Sequence, residues 1–404
     1  MKPEAQNGAN PLHGTSTRAV HAGETSRAPG APVVNPIVPS STFFTDPVPQ
    51  GEVLYTRYGT NPTHTALARR LAALEGAEAA LPLASGNAAV ALAFLAHVRA
   101  GDHIVAQRDL YGGTLALLMR DLPQLGIETT FVEFDGFEAA IRENTRVLYM
   151  EAPVNPTLRM PDIREIARVA HTHNLPLLVD ATFGTPINFR PLEYGASLVI
   201  HSATKYLGGH SDLTAGVVAG STGIVERIRE KLKSFGPVLD PYAAWLLERG
   251  IKTLDVRMER HNRNGLEISQ WLESHPAVER VFYPGLPSHP DHAIASELLS
   301  GFGGMVSFVV RGGDDAALRI CARLKLMSVA PSLGGVETLV SMPRFTSHAA
   351  LSREERHARG IADGFIRVSI GVEDARDLIA DLEQALTPEL RAVAVPAVGG
   401  ASPS

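Results

Sequence analysis

The stretch SLVIHSATKYLGGHSD, residues 197–212, decides how this chain is read. It opens on Leu198, Val199 and Ile200, an unbroken apolar run of the kind that fills a strand buried on both faces. His201, Ser202, Thr204 and Lys205 follow in quick succession, before the glycine pair Gly208 and Gly209. In open α/β sheets, ligands bind just beyond the carboxyl ends of the strands. A hydroxyl-rich turn carrying one lysine at that place is a candidate site. Taken alone, a lysine after a strand is more often a solvated surface residue, so the reading depends on its surroundings.

Similar runs lie on either side: HIVAQ (103–107), TTFVEF (129–134), RVLYM (146–150), LPLLVD (175–180) and AGVVAG (215–220). Helical stretches such as PDIREIARVAHTHN (161–174) separate several of them. This alternation predicts an α/β fold with a mostly parallel central sheet, covered on both faces, over residues 60–220. HTALARRLAALEG (64–76) sets Leu67, Leu71 and Leu74 on one helical face and ends at Gly76, a residue suited to stopping a helix. A long helical stretch is expected from Tyr242 to Ser274. After it, VERVFYP (278–284), GMVSFVV (304–310), ETLVSMP (337–343) and FIRVSIG (365–371) predict a smaller C-terminal α/β domain.

The expected organisation is therefore an arm over 1–60, a large domain over 61–255, a small domain over 256–386 and a flexible tail over 387–404. The first fifty residues are rich in Pro, Gly, Ser and Thr without a period, which suits either disorder or an arm lying on another subunit. With 404 residues the chain can bury a core too large for one domain. A net charge of −6 gives no reason to expect a nucleic-acid partner. Cys321 is the only cysteine, which excludes an intrachain disulfide and argues against a zinc cluster. It is expected in an apolar core. No apolar run is long enough to cross a membrane and no signal-peptide pattern opens the chain, so a cytoplasmic location is expected. Among the fifteen histidines, His171 and His173 lie two apart on a predicted helix and so face different ways. No metal is expected, and His201 and His210 are expected to hydrogen-bond within the lysine loop. The motifs of hydrolases, NTPases and dinucleotide binders (GxSxG, the P-loop, GxGxxG) are absent.

Two further segments put polar groups where strands end. LPLLVD closes on Asp180, and LPLASGNAAVALAFLAHV (81–98) passes through Ser85, Gly86 and Asn87 into an apolar helix with free N–H groups at its start. Asp180 alone could cap a loop, and Ser85-Gly86 alone is an ordinary helix cap. Together with Lys205 they suit pyridoxal 5′-phosphate (PLP). A helix start and hydroxyls hold a phosphate, a carboxylate pairs with a protonated pyridine nitrogen, and a lysine carries the aldehyde as a Schiff base.

At the level of motifs, HSATKYLGGHSD closely resembles the PLP-lysine signature of the cystathionine γ-synthase/γ-lyase family, the trans-sulfuration enzymes of Cys/Met metabolism. The likeness continues in family order through RAVHAGE (18–24), YTRYGTNPT (55–63), LAALEGAEAA (71–80), ASGNAA (84–89) and DLYGGT (109–114). It then runs through EAPVNPTL (151–158), VDATFGTP (179–186), SLGGVETL (332–339) and FIRVSIGVED (365–374). The resemblance implies a fold-type I PLP enzyme, aspartate aminotransferase-like, built as a homotetramer (a dimer of dimers) with active sites shared between subunits. It implies that Lys205 is the Schiff-base lysine and proton shuttle, and that Asp180 pairs with the pyridine nitrogen. Tyr111 stacks on the ring and acts as acid or base near the leaving group. Gly86, Asn87, Ser202 and Thr204 hold the phosphate, and Tyr55 and Arg57 reach it from the partner chain. Arg367 and Asn155 bind the substrate α-carboxylate, Ser332 positions Arg367 or Lys205, and Glu337 marks the cystathionine branch as a substrate-binding residue.

The implied reaction is γ-elimination or γ-replacement on homoserine-derived or cystathionine-type amino acids. Alternatives are an O-acylhomoserine sulfhydrylase, a γ-replacement enzyme with an unusual nucleophile, or a non-catalytic PLP-binding homologue. Several positions depart from the family pattern. Asn87 stands where methionine is usual, and Ala181 where asparagine follows the ring aspartate, removing a hydrogen bond to it. YTRYGTNPT is one residue longer than usual, and Leu54 stands where cystathionine-handling members carry an acid. Gly113 stands where methionine γ-lyases carry cysteine, which disfavours that activity.

Overall fold

Seven strands make the larger sheet: β1 (Ala79–Leu83), β2 (His103–Gln107), β3 (Glu128–Val132), β4 (Thr145–Glu151), β5 (Leu177–Asp180), β6 (Leu198–Ser202) and β7 (Gly216–Gly220). Their order is β1-β7-β6-β5-β4-β2-β3, and β7 alone runs against its neighbours. The structure is a computed structural model and describes residues 14–24, 26–49, 51–349 and 351–393. Each apolar run read from the sequence lies on one of these strands. Val199 and Ile200, adjacent on β6, enter different hydrophobic clusters, so both faces of the sheet are covered. One face packs against Val90 and Phe94 of the helix Gly86–Leu95, the other against Ile163 and Ile166 of the helix Ile163–Thr172.

The second sheet has five strands: β8 (Val278–Phe282), β9 (Met305–Val310), β10 (Ser328–Val329), β11 (Leu339–Ser341) and β12 (Phe365–Ser369). Their order is β10-β11-β12-β9-β8, antiparallel except for the β10–β11 pair. Strand β10 carried no signal in the sequence, being two exposed residues long. Cys321 lies buried in the core beside this sheet.

The helical stretch expected over 242–274 is two helices, Pro241–Ile251 and Leu254–Ser274. The break is set by hydrogen bonds to the Gly250 carbonyl. The Gly250 carbonyl accepts from Thr253 Oγ1 at 3.1 Å and from Arg257 Nη2 at 2.9 Å, so it is drawn away from the helix ladder. Arg257 Nη1 also donates to the Tyr206 carbonyl at 2.7 Å, which ties the second helix to the residue after Lys205.

The described part of the arm is fastened to its own chain. Arg70, fully buried, donates to the carbonyls of Ala19 and Val20 and pairs with Glu248 at 3.0 Å. Asn35 Nδ2 donates to the same Glu248 at 2.7 Å, and Trp245 Nε1 donates to the Asn35 carbonyl at 3.0 Å. A buried pair of this kind fastens segments together more than it stabilises the fold. Phe44 and Val48 further along the arm are exposed.

At the other end, the helix Ala375–Val393 runs on past Thr387, where a flexible tail was expected. Glu389 is buried and accepts from Arg319 Nη2 at 2.7 Å and Arg323 Nη1 at 2.6 Å, which keeps this last turn in place. Residues 1–13 of the expected arm and 394–404 of the expected tail lie outside the described residues. Among the described residues, no helix is long and apolar enough to cross a membrane.

Candidate active site

Lys205 sits in the turn that leaves β6, and its Nζ donates to Ser332 Oγ at 2.8 Å. Ser332 is held at a left-handed φ of 86°. Two residues on, Gly334 presses against the lysine turn, since a Cβ there would come within 2.6 Å of the Tyr206 nitrogen. The Ser332 carbonyl accepts from Arg367 Nη2 at 3.2 Å, and Arg367 Nη1 donates to Asn155 Oδ1 at 3.0 Å. Four of the expected residues, Lys205, Ser332, Arg367 and Asn155, are thus linked by hydrogen bonds. Arg367 is 5 % exposed and its Nε has no partner. Both of its bonded acceptors are neutral. Burial holds its guanidinium down to about 10, which is the mark of a cation without an anion.

Burial, helped by the nearby Arg367 charge, lowers the Lys205 amine to about 8. The neutral amine is the nucleophile, so aldehyde uptake by cofactor-free protein should rise with pH and level off above about 8. An ordinary lysine would keep rising towards the usual value of about 10.4. Stopped-flow absorbance of PLP addition between about pH 6 and 10 would check this, and a midpoint near 10 would contradict it.

Asp180 ends β5. Its Oδ1 accepts from the Thr182 hydroxyl at 2.6 Å and the Thr182 N–H at 3.0 Å. Thr182 Oγ1 accepts in turn from the Ser202 N–H at 2.8 Å. The carboxylate is therefore braced by Thr182, and Ala181 contributes only to the apolar core. Burial pushes the Asp180 carboxyl up, against the opposing pull of the Thr182 bonds and His201. His201 pairs outside its loop, with Glu75 Oε1 at 2.6 Å, contrary to expectation. The reason is packing: Glu75 closes the helix Pro62–Glu75 over the strand end, and both side chains are buried. His210 Nδ1 does bond within the loop, to the Gly208 carbonyl at 2.8 Å.

Gly86 opens the helix Gly86–Leu95, with Ser85 Oγ capping the Ala88 N–H at 3.1 Å. A Cβ on Gly86 would fall 2.7 Å from Ser202 Cβ, so only glycine lets the helix start approach β6 this closely. The N–H groups of Gly86 and Asn87 have no protein acceptor among the described residues. The Thr204 hydroxyl is committed to the Ala215 backbone, donating at 3.2 Å and accepting at 3.0 Å.

Tyr111, 44 % exposed, stands before the short helix Gly112–Ala116, and its N–H donates to Glu151 Oε1 at 2.8 Å. Glu151 was missed by the sequence reading. It is buried, and it lies in register with Asp180 on the neighbouring strand. Burial first, and Asp180 second, push its carboxyl well above the usual range. The signal that could have found it is the one that found Asp180: an acid closing a buried strand.

Three expected residues lie apart from this cluster. Arg57 Nη1 donates to the Lys233 carbonyl at 2.5 Å, with its guanidinium over the rings of Tyr55 and Tyr58. Among the described residues, no hydrogen bond joins Arg57 or Tyr55 to Lys205, Ser202 or Gly86. Glu337 is exposed, with Oε2 3.4 Å from Ser211 Oγ.

The donor set fits PLP. It offers free N–H groups and a hydroxyl around Gly86, a carboxylate whose second oxygen has no hydrogen bond among the described residues, and a lysine whose basicity burial lowers. Residues 16–387 match the family described as Cys/Met metabolism PLP-dependent enzyme. The chain belongs to this family. Like its Cys/Met metabolism relatives, it is a PLP-dependent enzyme. It is 43% identical over 389 residues to the L-methionine gamma-lyase of Fusobacterium nucleatum subsp. polymorphum, covering 93% of this chain and 98% of that one. The cystathionine gamma-lyase of Bacillus subtilis is 43% identical over 374 residues, covering 92% and 98%. Among solved structures, that of metB from Corynebacterium glutamicum matches with a TM-score of 0.89 at 40% identity, covering 94% of this chain and 99% of that one. The family assignment and the α/β PLP fold expected from the sequence both stand.

Proposed function

We propose that the chain catalyses γ-elimination or γ-replacement on a homoserine-derived or cystathionine-type amino acid, with PLP held on Lys205. The observation that carries this reading is Arg367. Its buried guanidinium lacks an anion, and Ser332 joins it to the lysine. An α-carboxylate bound there, by Arg367 with Asn155 beside it, sets the substrate amine and Cα next to Lys205.

When bound, PLP supplies an electron sink for charge developing on the substrate carbons. Asp180, steadied by Thr182, would pair with the pyridine nitrogen. The N–H groups of Gly86 and Asn87, with Ser202, would hold the phosphate, while Thr204, expected to join them, instead braces the turn through Ala215. Lys205 takes the Cα proton and then a Cβ proton, and its depressed basicity suits a group that must give protons back near neutral pH. Tyr111, whose N–H is held by Glu151, would stack on the ring and serve as acid or base near the leaving group.

Residues 1–60 then serve as an arm, 61–255 as the cofactor domain and 256–386 as the small domain. Tyr55 and Arg57 complete a neighbour's site in a homotetramer, a role supported by the lack of any hydrogen bond from either to Lys205 among the described residues. The enzyme works in the cytoplasm on this reading, and Glu337 is a rim residue for the distal end of a long substrate. Leu54, an aliphatic side chain 39 % exposed, favours as second reading a nucleophile without a distal amine, as in an O-acylhomoserine sulfhydrylase.

The test is a visible spectrum followed by product analysis. A band near about 420 nm that shifts on substrate addition supports PLP on a lysine. Cystathionine formed from O-acyl-L-homoserine and L-cysteine makes the enzyme a synthase, while 2-oxobutanoate and cysteine from cystathionine make it a γ-lyase. A coloured protein that turns over no γ-substituted amino acid overturns the proposal.

A further inference from the structure

We infer that Asn87 and Gly113 form a specificity pair, in which the Asn87 carboxamide reads a hydrogen-bonding γ-substituent on the substrate. The inference rests on the function proposed above, with Tyr111 beside the leaving group.

Three residues meet at one point. A Cβ on Gly113 would lie 2.5 Å from Tyr111 Cε1 and 3.0 Å from both Nδ2 and Oδ1 of Asn87. It is therefore the amide end of Asn87, and not its stem, that occupies the space in front of Gly113. Any side chain at 113 would press on that amide and on the tyrosine ring, so the glycine makes the room the amide uses.

The amide is also free. Asn87 is exposed, and among the described residues neither Nδ2 nor Oδ1 has a protein partner. Other polar groups of the site are committed: Glu151 to the Tyr111 N–H, Lys205 to Ser332, Asp180 to Thr182. The Asn87 backbone N–H is a separate group, so holding a phosphate there leaves the side chain available.

A carboxamide offers two N–H donors and one carbonyl acceptor. The acyl carbonyl of a homoserine ester can accept from Nδ2, and the ammonium of a cysteine-derived substituent can donate to Oδ1. A methylthio group does neither, and its approach strips water from the amide without replacing the lost bonds. The pair therefore favours ester and amino-acid substituents over the simple thioether of methionine.

The test compares kcat/KM for O-acetyl-L-homoserine, L-cystathionine and L-methionine in the holoenzyme and in its Asn87→Met, Asn87→Ala and Gly113→Cys variants. Cofactor loading is checked by visible absorbance in each. Both Asn87 variants should lower the ratio of O-acetyl-L-homoserine to methionine by about fivefold or more. Gly113→Cys should do the same by displacing the amide. A ratio that stays within about twofold in both loaded Asn87 variants overturns the pair while leaving the proposed function intact. Failure of the unsubstituted, loaded enzyme on all three substrates overturns that function, and the pair with it.

Discussion

Lys205→Ala lowers turnover by roughly 10⁴-fold or more and removes the visible absorption of the bound cofactor. The size of the effect follows from the two duties that meet on one nitrogen. Among the described residues, Nζ is the only amine joined to Ser332 and, through it, to Arg367, so its loss removes the covalent anchor and the proton carrier together. Exogenous PLP does not restore the lost activity, because neither threonine beside the cofactor replaces the lysine as the Cα base. Thr182 is spent on Asp180, and the Thr204 hydroxyl is spent on Ala215. Full activity in the variant would remove Lys205 from the mechanism. The same variant tests the shared site. Arg57 bonds to the Lys233 carbonyl of its own chain, and no hydrogen bond joins it to Lys205 among the described residues. Arg57→Ala subunits mixed with Lys205→Ala subunits should then regain intact sites in hybrid dimers, up to about a quarter of the total for random pairing. No recovery in verified hybrids would place Arg57 outside the partner's site.

How much of this was legible beforehand depends on where each feature's cause lies. The strands of the large sheet were readable because covering both faces makes each one a continuous apolar run, as at Leu198–Ile200. Lys205 and Asp180 were readable because they close such runs. The helix break near Thr253 was not, because it is set by Arg257 reaching the carbonyls of Gly250 and Tyr206, a tertiary contact with no local pattern. The His201–Glu75 pair joins residues 126 apart. Glu151 lay within a quoted motif, yet its importance comes from its register beside Asp180 and its bond to the Tyr111 N–H. Residues from 387 on were expected to be a flexible tail, but the Glu389 ion pairs hold the helix through Pro388. The family motifs supplied the candidate site residues, while Thr182 as the brace on Asp180 needed coordinates.

Arg367→Ala carries the second large effect, and its direction separates binding from stability. Removing one side of a buried charged contact costs about 2–5 kcal/mol in recognition, so kcat/KM should fall between roughly 30-fold and 5,000-fold. Most of the loss should appear in KM, because the α-carboxylate is held in the ground state as well as in the transition state. Arg367→Lys should recover only part of it. A lysine is a point charge and cannot keep both the Asn155 and Ser332 contacts that orient the guanidinium. Folding should respond differently. Arg367 is buried with Nε unpartnered, and its acidity is raised by that burial, so the substrate-free protein carries a cation it does not satisfy. Replacing it therefore relieves a desolvation cost as it opens a cavity, and Tm should move by no more than a few degrees. A collapse of Tm with unchanged KM in the surviving folded enzyme would make Arg367 a structural residue. A large rise in KM at nearly constant Tm would identify it as the carboxylate receptor, held under strain until the substrate arrives.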